Sequence, residues 1–431
     1  MKKLSYLAAA VMLAACASSQ KPPTRPPAPT APSGPVFQLR AASFAQLPGW
    51  MENDPHPALD AFRRSCAAQT AREDSAAYGT TAAYGGTVAD WRAPCAAAAQ
   101  TKDARAFFEA NFTPHEVIAR SDQLRRLTGY YEPIVQARRT PQPGFEEPFL
   151  ARPADLVQID FAAFDEAAGM SKQIAEDVMK SLAPILADDV EARAGEALND
   201  RLERRFKTSM WGRLTSDRKI VPVPKRGELD LRSGVLGFAR ACDVYDVQVQ
   251  GSARVQFEDG AQMRMAYAAQ NGWKWTSLYP QIRDRGAASA TKQGVCDWLG
   301  GQTPEQLRAA MNLDPSYVFF QLEPIRDPTG GPNGAQGVPL TGLGSIAIDP
   351  AYHPYGAVLF VDAENGFRRL LVAQDTGGAI RRGPVRGDVF FGTGDAAYAV
   401  AAQQNAPARF WTLLPNGLVP QRIAMNDTLS R

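Results

Sequence analysis

Between Ser316 and Leu414, short apolar runs alternate with breaks rich in glycine and proline. The runs are Ser316–Leu322, Ser345–Ile348, Ala357–Val361, Arg369–Ala373, Asp388–Phe391 and Arg409–Leu414. Each is too short for an ordinary helix and is bounded by turn formers, so each reads as a strand. Short strands at this spacing bury their apolar sides by forming a barrel or a sandwich. The expected fold class is therefore mainly β.

Upstream, "LTGYYEPIVQARR" (Leu127–Arg139) has β-type composition with aromatics. "VYDVQVQGSARVQFEDG" (Val244–Gly260) alternates like a strand, turns at Gly251-Ser252 and continues. Asn271-Gly272 reads as a two-residue hairpin turn. Residues Phe37 to about Arg126 read as helical and irregular, with helical spacing over Ala58–Cys66 and Thr101–Phe112. Ala162–Phe206 is polar and helix-forming, with an apolar face from Ile174 through Leu186. It reads as a helical insertion on the surface.

The first residues address the compartment. Met1-Lys2-Lys3 is basic, and Leu4–Ala15 is apolar but too short for a permanent membrane span. It ends in Leu13-Ala14-Ala15-Cys16, which resembles a bacterial lipobox. The expectation is a signal peptide over 1–15, cleavage before Cys16 and lipid on that cysteine. Ala17 follows, with no aspartate to retain the protein in the inner membrane, so the periplasmic face of the outer membrane is expected. Residues 16–36 form a lipidated linker. Its proline-rich part, Lys21–Pro35, cannot bury a core and acts as an extended spacer. A tether of this kind suits a target away from the membrane surface, such as cell wall.

Cys66, Cys95, Cys242 and Cys296 remain, an even number that suggests two disulfides in an exported chain. Sequence order favours Cys66–Cys95 and Cys242–Cys296, with the other connectivities open. No Cys-x-x-Cys pair occurs, which argues against zinc or thioredoxin-like chemistry. Only His56, His115 and His353 are available, so a histidine-rich metal site or histidine-based triad is not expected. A net charge of +2 argues against a nucleic-acid partner.

The stretch "AQDTGGAIRRGPVRGDVFFGTGDAA" places Asp375, Asp388 and Asp395 among glycines. An isolated aspartate in such a context is commonly a turn residue. Asp388 differs because Val389-Phe390-Phe391 follows it. Burial against that surface would raise its pKa and keep it protonated near neutrality. A protonated carboxyl is what glycosidic cleavage needs, because the leaving oxygen must take a proton. Asp375 could raise that pKa further or hold Asp388 by a hydrogen bond. Asp375-Thr376-Gly377 also matches the aspartic-protease tripeptide, but no second copy occurs in this large chain.

Tyr130, Tyr131, Trp273, Trp275 and Tyr279 lie in polar, glycine-bearing contexts and could stack on sugar rings, or could pack in a core. Gln248, Gln250 and Ser252 alternate beside Gly251 and could bind hydroxyl and acetamido groups, or could be a solvated strand face.

Several segments then resemble one family in order: "TGYYEP" (Thr128–Pro133), "VQVQGSARV", "YAAQNGWKWTSL", "MNLDPSYVFFQ", "GAQGVPLTGLGSIAIDP" and "VAQDTGGAIRRGPVRGDVFFGTG". The resemblance is to the membrane-bound lytic murein transglycosylase A family, and it runs from about residue 40 to residue 415. The C-terminal part resembles the three-aspartate ("3D") domain, with Asp349, Asp375 and Asp388 in the named positions. The resemblance implies a double-psi β-barrel body over 37–132 and 313–425. A second β-barrel that binds substrate would be inserted over 133–312, with N-terminal helices and the helical insertion added. It implies cleavage of the β-1,4 bond from N-acetylmuramic acid to N-acetylglucosamine without water, leaving a 1,6-anhydro ring. It implies an exotransglycosylase, although the residues themselves leave end-directed and internal cutting open. Matching the motifs puts the catalytic acid on Asp388 with Asp375 beside it. Thr128, Tyr130, Tyr131, Gln248, Gln250, Gly251, Ser252, Trp273, Trp275, Asp349, Gly377 and Gly378 become the expected substrate contacts. Asp395 matches nothing and reads as a turn residue. No metal or cofactor is expected. The expected partners are peptidoglycan strands, the membrane through its lipid, and proteins of wall synthesis or division. Ala253 stands where the family usually has a second glycine after Gln-Gly-Ser, which bears on local groove shape. The competing class is a wall-binding module of expansin-like type that grips glycan without cutting it. Retention of both Asp375 and Asp388 argues against it.

Overall fold

The computed structural model describes residues 37–79, 84–119, 124–159, 210–380 and 383–420. These lie in one compact unit, Pro35–Arg431. The signal segment, Cys16, the proline-rich spacer and the stretch Ala162–Phe206 fall outside the described residues.

A nine-stranded sheet carries most of the C-terminal third. In spatial order it runs β1 (Phe37–Ala41), β2 (Phe112–Ala119), β18 (Ala408–Pro415), β14 (Val358–Ala363), β15 (Arg368–Asp375), β13 (Ser345–Ile348), β16 (Val385–Thr393), β3 (Arg125–Glu132) and β17 (Asn405–Ala406). The pairs β13–β15 and β16–β3 are parallel. A parallel pair cannot be joined by a hairpin. The β16–β3 pair therefore brings two distant parts of the sequence together and leaves everything between them interposed.

The interposed chain builds a four-stranded sheet, β12 (Val318–Pro324), β11 (Gln262–Gln270), β10 (Ala253–Phe257) and β4 (Ile134–Ala137). Smaller sheets pair β5 (Glu147–Leu150) with β9 (Val235–Ala239), and β6 (Leu156–Ile159) with β7 (Met210–Leu214) and β8 (Ile220–Val221).

The central strands are buried on both sides, which explains their unbroken apolar runs. On β14, Val358 and Phe360 face a cluster with Phe62, Trp91 and Phe108. Leu359 and Val361 face the opposite cluster with Leu127, Ile346 and Val389. The first cluster is covered by α1 (His56–Gln69), α2 (Val88–Gln100) and α3 (Ala104–Asn111). Thr87 and Asp90 form a capping box at the start of α2. A Cys66–Cys95 disulfide ties α1 to α2.

Three local expectations fail. The stretch from Phe37 to about Arg126, expected to be helical and irregular, also holds the strands β1 and β2, which pair with each other at one edge of the large sheet. Ala241–Gln250 is a helix, α4, and only Ala253–Phe257 of that stretch is a strand. The valine spacing 244–247 fits a helical turn, but alternation with Asp243, Asp246 and Gln248 mimicked a strand. Those polar side chains are in fact buried with the apolar ones. Gly251 caps the helix with φ +85°, a conformation that favours glycine. Asn271-Gly272 is not a hairpin turn either. The β10–β11 hairpin turns at Glu258–Ala261, closed by Phe257 N–H donating to the Ala261 carbonyl at 2.9 Å. Asn271 is buried and spends its amide on the Pro224 and Pro315 carbonyls, at 3.1 and 2.9 Å.

The remaining helices are α5 (Leu278–Arg283), α6 (Lys292–Gly300), α7 (Pro304–Met311) and α8 (Asp395–Ala401). A Cys242–Cys296 disulfide ties α4 to α6. Asp395 opens α8, where a carboxylate is favoured by the helix dipole. Among the described residues no helix is long and apolar enough to cross a membrane.

Candidate active site

Asp375 ends β15 and Asp388 lies on β16. Both are register partners of one residue, Ala347 on the strand between them. A bulge makes this so. Ile346 pairs with Ala373, and regular pairing would then set Ala347 against Gln374, but the register slips to Asp375. Bulges re-aim side chains in this way. Gln374 turns into the interior, where it bonds Ser345, Ser65 and the Ala61 carbonyl.

On the other side of β16, Asp388 is the register partner of Thr128 and Phe390 that of Tyr130. The Thr128 hydroxyl donates to Asp388 Oδ1 at 2.6 Å. The Tyr130 hydroxyl donates to Asp375 Oδ2 at 2.7 Å. Strands β3 and β15 are three steps apart, roughly 14 Å in a flat sheet. The Tyr130–Asp375 contact therefore requires the sheet to curl over this face. Gly387 lets it: a Cβ there would lie 2.6 Å from Ile346 and 2.9 Å from Phe410.

The two carboxyls differ in their surroundings. Burial pushes the Asp388 pKa up to about 6; Arg386 and the Thr128 hydroxyl oppose the rise, and Asp375 adds to it. Burial also raises Asp375, against hydrogen bonds from Tyr130 and from the Ala335 and Thr376 amides. Those amides donate to Asp375 Oδ1, each at 2.9 Å. Asp388 is thus a partly exposed carboxyl that still holds its proton in mildly acidic solution, next to a second carboxyl held by three donors.

Of the expected site residues, Thr128, Tyr130, Asp375 and Asp388 come together here. Gly377 and Gly378 form the adjoining turn, and a Cβ on Gly378 would meet open space. Asp349 follows β13 and accepts from the Ala351 and Gly383 amides at 3.1 and 3.0 Å, so it shapes the neighbouring loop.

The others sit elsewhere. Tyr131 points to the opposite side of β3 and donates to Asp246 on α4 at 2.6 Å, with Lys292 Nζ 2.7 Å from the same carboxylate. Tyr279 donates to Asp246 Oδ1 at 3.3 Å. Gln250 accepts from the Tyr131 amide at 3.2 Å, and Gln248 from Arg226 at 2.6 Å. Gln248 and Gln250 lie on the helix α4, Gly251 is its cap, and Ser252 is buried just beyond. Trp273 is buried, its indole N–H donating to the Val223 carbonyl at 2.6 Å under the Lys225 ammonium. Trp275 is 43% exposed. Cys242, Asp243 and Cys296 bring ligand atoms within 4.8 Å of one another, but the disulfide consumes both thiols.

Sequence reasoning missed the Ala335 amide and Arg386. Ala335 lay within the quoted "GAQGVPLTGLGSIAIDP", but a backbone donor leaves no side-chain signal. Arg386 could have been found from its place two residues before Asp388 on the same strand face.

Residues 126–321 match the MltA specific insert domain, and residues 344–414 match the 3D domain. The chain belongs to the MltA family. Membrane-bound lytic murein transglycosylase A of Escherichia coli (strain K12) is 26% identical over 305 residues, which cover 67% of this chain and 65% of that protein. The match thus spans just under two thirds of this curated relative. The crystal structure of a membrane-bound lytic murein transglycosylase from Agrobacterium tumefaciens has a TM-score of 0.64 and 28% identity, covering 88% of this chain and 98% of that one. MltA from Neisseria gonorrhoeae has a TM-score of 0.66 and 26% identity, covering 93% and 100%.

Proposed function

We propose that this MltA-family protein is a lytic murein transglycosylase acting on peptidoglycan. The reaction breaks the β-1,4 bond from N-acetylmuramic acid to N-acetylglucosamine without consuming water. The observation that carries the reading is Asp388, partly buried, bonded by Thr128, and raised to about 6 beside Asp375. As an acid, it gives its proton to the glycosidic oxygen while the bond from that oxygen to the muramic anomeric carbon breaks. As the resulting carboxylate, it takes the proton from the O6 hydroxyl of the same muramic residue, whose oxygen closes the 1,6-anhydro ring. One carboxyl suffices because the nucleophile is intramolecular and supplies its own proximity. Asp388 ends the cycle protonated, as it began. The names of the relatives, all membrane-bound lytic murein transglycosylases or MltA, support the same reaction.

The domain reading is a double-psi β-barrel body from 37–132 and 313–425 around an inserted β-barrel over 133–312; its second boundary moves, because Val318–Pro324 pairs with β11 in the inserted sheet, so the body resumes after Pro324. The curl that joins Tyr130 to Asp375 supports the body's part of it. The lipobox-like Leu13-Ala14-Ala15-Cys16 supports a lipid anchor at the periplasmic face of the outer membrane, with the proline-rich segment as tether. Digestion of purified sacculi, followed by mass spectrometry of the muropeptides, tests the reaction. Anhydro ends are expected. Reducing ends would mean hydrolysis and would end the lyase reading.

A further inference from the structure

Glu132 is the last residue of β3 and its side chain is fully buried. Two guanidinium groups from the four-stranded sheet meet it. Arg254 Nε on β10 lies 2.9 Å from Oε2, and Arg264 Nε on β11 lies 2.8 Å from Oε1. Thr393, at the end of β16, donates to Oε2 at 2.8 Å. The outer nitrogens of both arginines turn to the returning chain. Arg254 donates to the Pro328 and Gly330 carbonyls at 2.7 and 3.0 Å, and Arg264 donates to Gly330 at 2.9 Å.

Both chain passages between the two sheets are thus held at one point, the outgoing one at Glu132 and the returning one at Pro328–Gly330. What lies next to that point is the candidate active site. β3 carries Thr128 and Tyr130, β16 carries Asp388, and the loop after Gly330 carries Ala335, whose amide holds Asp375. The loop is fastened further along by the Gly331 amide on the Leu340 carbonyl and the Gln336 amide on the Gln374 carbonyl, at 2.9 and 3.0 Å. We propose that the Arg254–Glu132–Arg264 triad is a positioning device for the aspartate pair, acting through the ends of β3 and β16 and through the 328–340 loop. The proposal rests on the reading of Asp388 as the catalytic acid.

A buried ion triad is weak evidence for stability as such, since apolar residues of similar volume often serve as well. What they cannot supply is the fork by which one arginine grips a carboxylate and a carbonyl together. Arg264 uses its fork on Glu132 and Gly330, so lysine at that position keeps the charge and loses the geometry.

The test compares the full chain with Arg264→Lys and with the triple variant Glu132→Leu, Arg254→Met, Arg264→Met. Melting temperature, kcat, KM and the pH profile of anhydromuropeptide release from sacculi are measured for each. A positioning role predicts a kcat about tenfold lower in Arg264→Lys with KM little changed, and a larger fall in the triple variant. It also predicts a displaced pH profile. Loosening the Ala335 amide removes a donor that favours the Asp375 carboxylate, so Asp375 stays neutral to higher pH. A neutral Asp375 no longer raises Asp388, and the alkaline limb moves to lower pH. The other groups on this pair, Thr128 and Arg386 at Asp388 and Tyr130 and the Thr376 amide at Asp375, are left in place. Wild-type kcat and pH profile in Arg264→Lys would overturn the proposal, whatever the triple variant does. A lowered melting temperature with unchanged kcat and profile would reduce the triad to glue, and would overturn it too. An inactive wild-type protein would instead defeat the functional reading.

Discussion

Thr128 and Asp388 face each other across the parallel β3–β16 pair, joined by a hydroxyl–carboxylate hydrogen bond of 2.6 Å. That bond favours the ionised form of Asp388 and works against the burial that raises its pKa to about 6. The proton needed for glycosidic cleavage is therefore held by a balance, and Thr128 sets one side of it.

Thr128→Val removes the hydroxyl and keeps the β-branched shape. Asp388 should then hold its proton to higher pH, because the ionised form loses a donor while Arg386 and Asp375 stay in place. A hydrogen bond to a charged group contributes about 1.5–3 kcal/mol, so the alkaline limb should move up by about one to two pH units. The pH dependence of anhydromuropeptide release measures this. A limb that stays put, or moves to lower pH, would show that Thr128 does not tune the acid.

Trp273 reads from sequence either as a ring for sugar stacking or as a core residue, and it is 9% exposed and spends its indole N–H on the Val223 carbonyl. Trp273→Ala should therefore act on stability, by about 3–5 kcal/mol for a buried tryptophan. Urea unfolding checks the magnitude, and sacculus binding by the folded fraction checks the mechanism. Binding lost at full stability would return the ring to the substrate surface.

The contrast between Trp273 and Asp388 shows what was legible in the sequence. The strands Ser345–Ile348 and Arg409–Leu414 could be read because Ile346–Ile348 and Phe410–Leu414 are buried, which leaves short, mostly apolar runs. α4 could not, because Asp246 and Gln248 are buried beside valines and their partners, Lys292 and Arg226, are distant in sequence. Asp388 could be singled out by its aromatic neighbours. The β15 bulge that aims Asp375, and the Ala335 amide that holds it, are backbone features with no residue-type signature.

Cys16→Ala should release a protein that still cuts purified sacculi. The residues grouped around Asp388 all lie beyond the spacer, from Thr128 onward. Lipid chains on one cysteine supply the membrane affinity, roughly 0.8 kcal/mol per buried CH₂. Fractionation and a sacculus assay test both halves. Retention at the membrane would refute the lipobox, and a released, folded but inactive variant would mean that the N-terminal segment contributes to the site.

Asp388→Asn separates chemistry from folding. Turnover should fall about a hundred- to ten-thousand-fold, the usual cost of losing an acid catalyst. Glycan binding should persist, because asparagine is nearly isosteric and its carbonyl can still accept from Thr128. Stability should move the other way. Burial pushes the Asp388 pKa up to about 6 from the 3.8 of a free aspartate, so between those values the unfolded chain gives up its proton first. Wild-type stability therefore falls as pH rises through that window, and the loss is complete above it. Two pKa units correspond to about 3 kcal/mol, an upper figure for a carboxyl that is partly exposed. Asparagine does not titrate. The variant should gain about 1–3 kcal/mol relative to wild type between pH 4 and pH 7.5, read from urea midpoints at the two pH values. An equal difference at both pH values would mean that burial does not raise the Asp388 pKa. Near wild-type turnover at either pH would move the acid to Asp375.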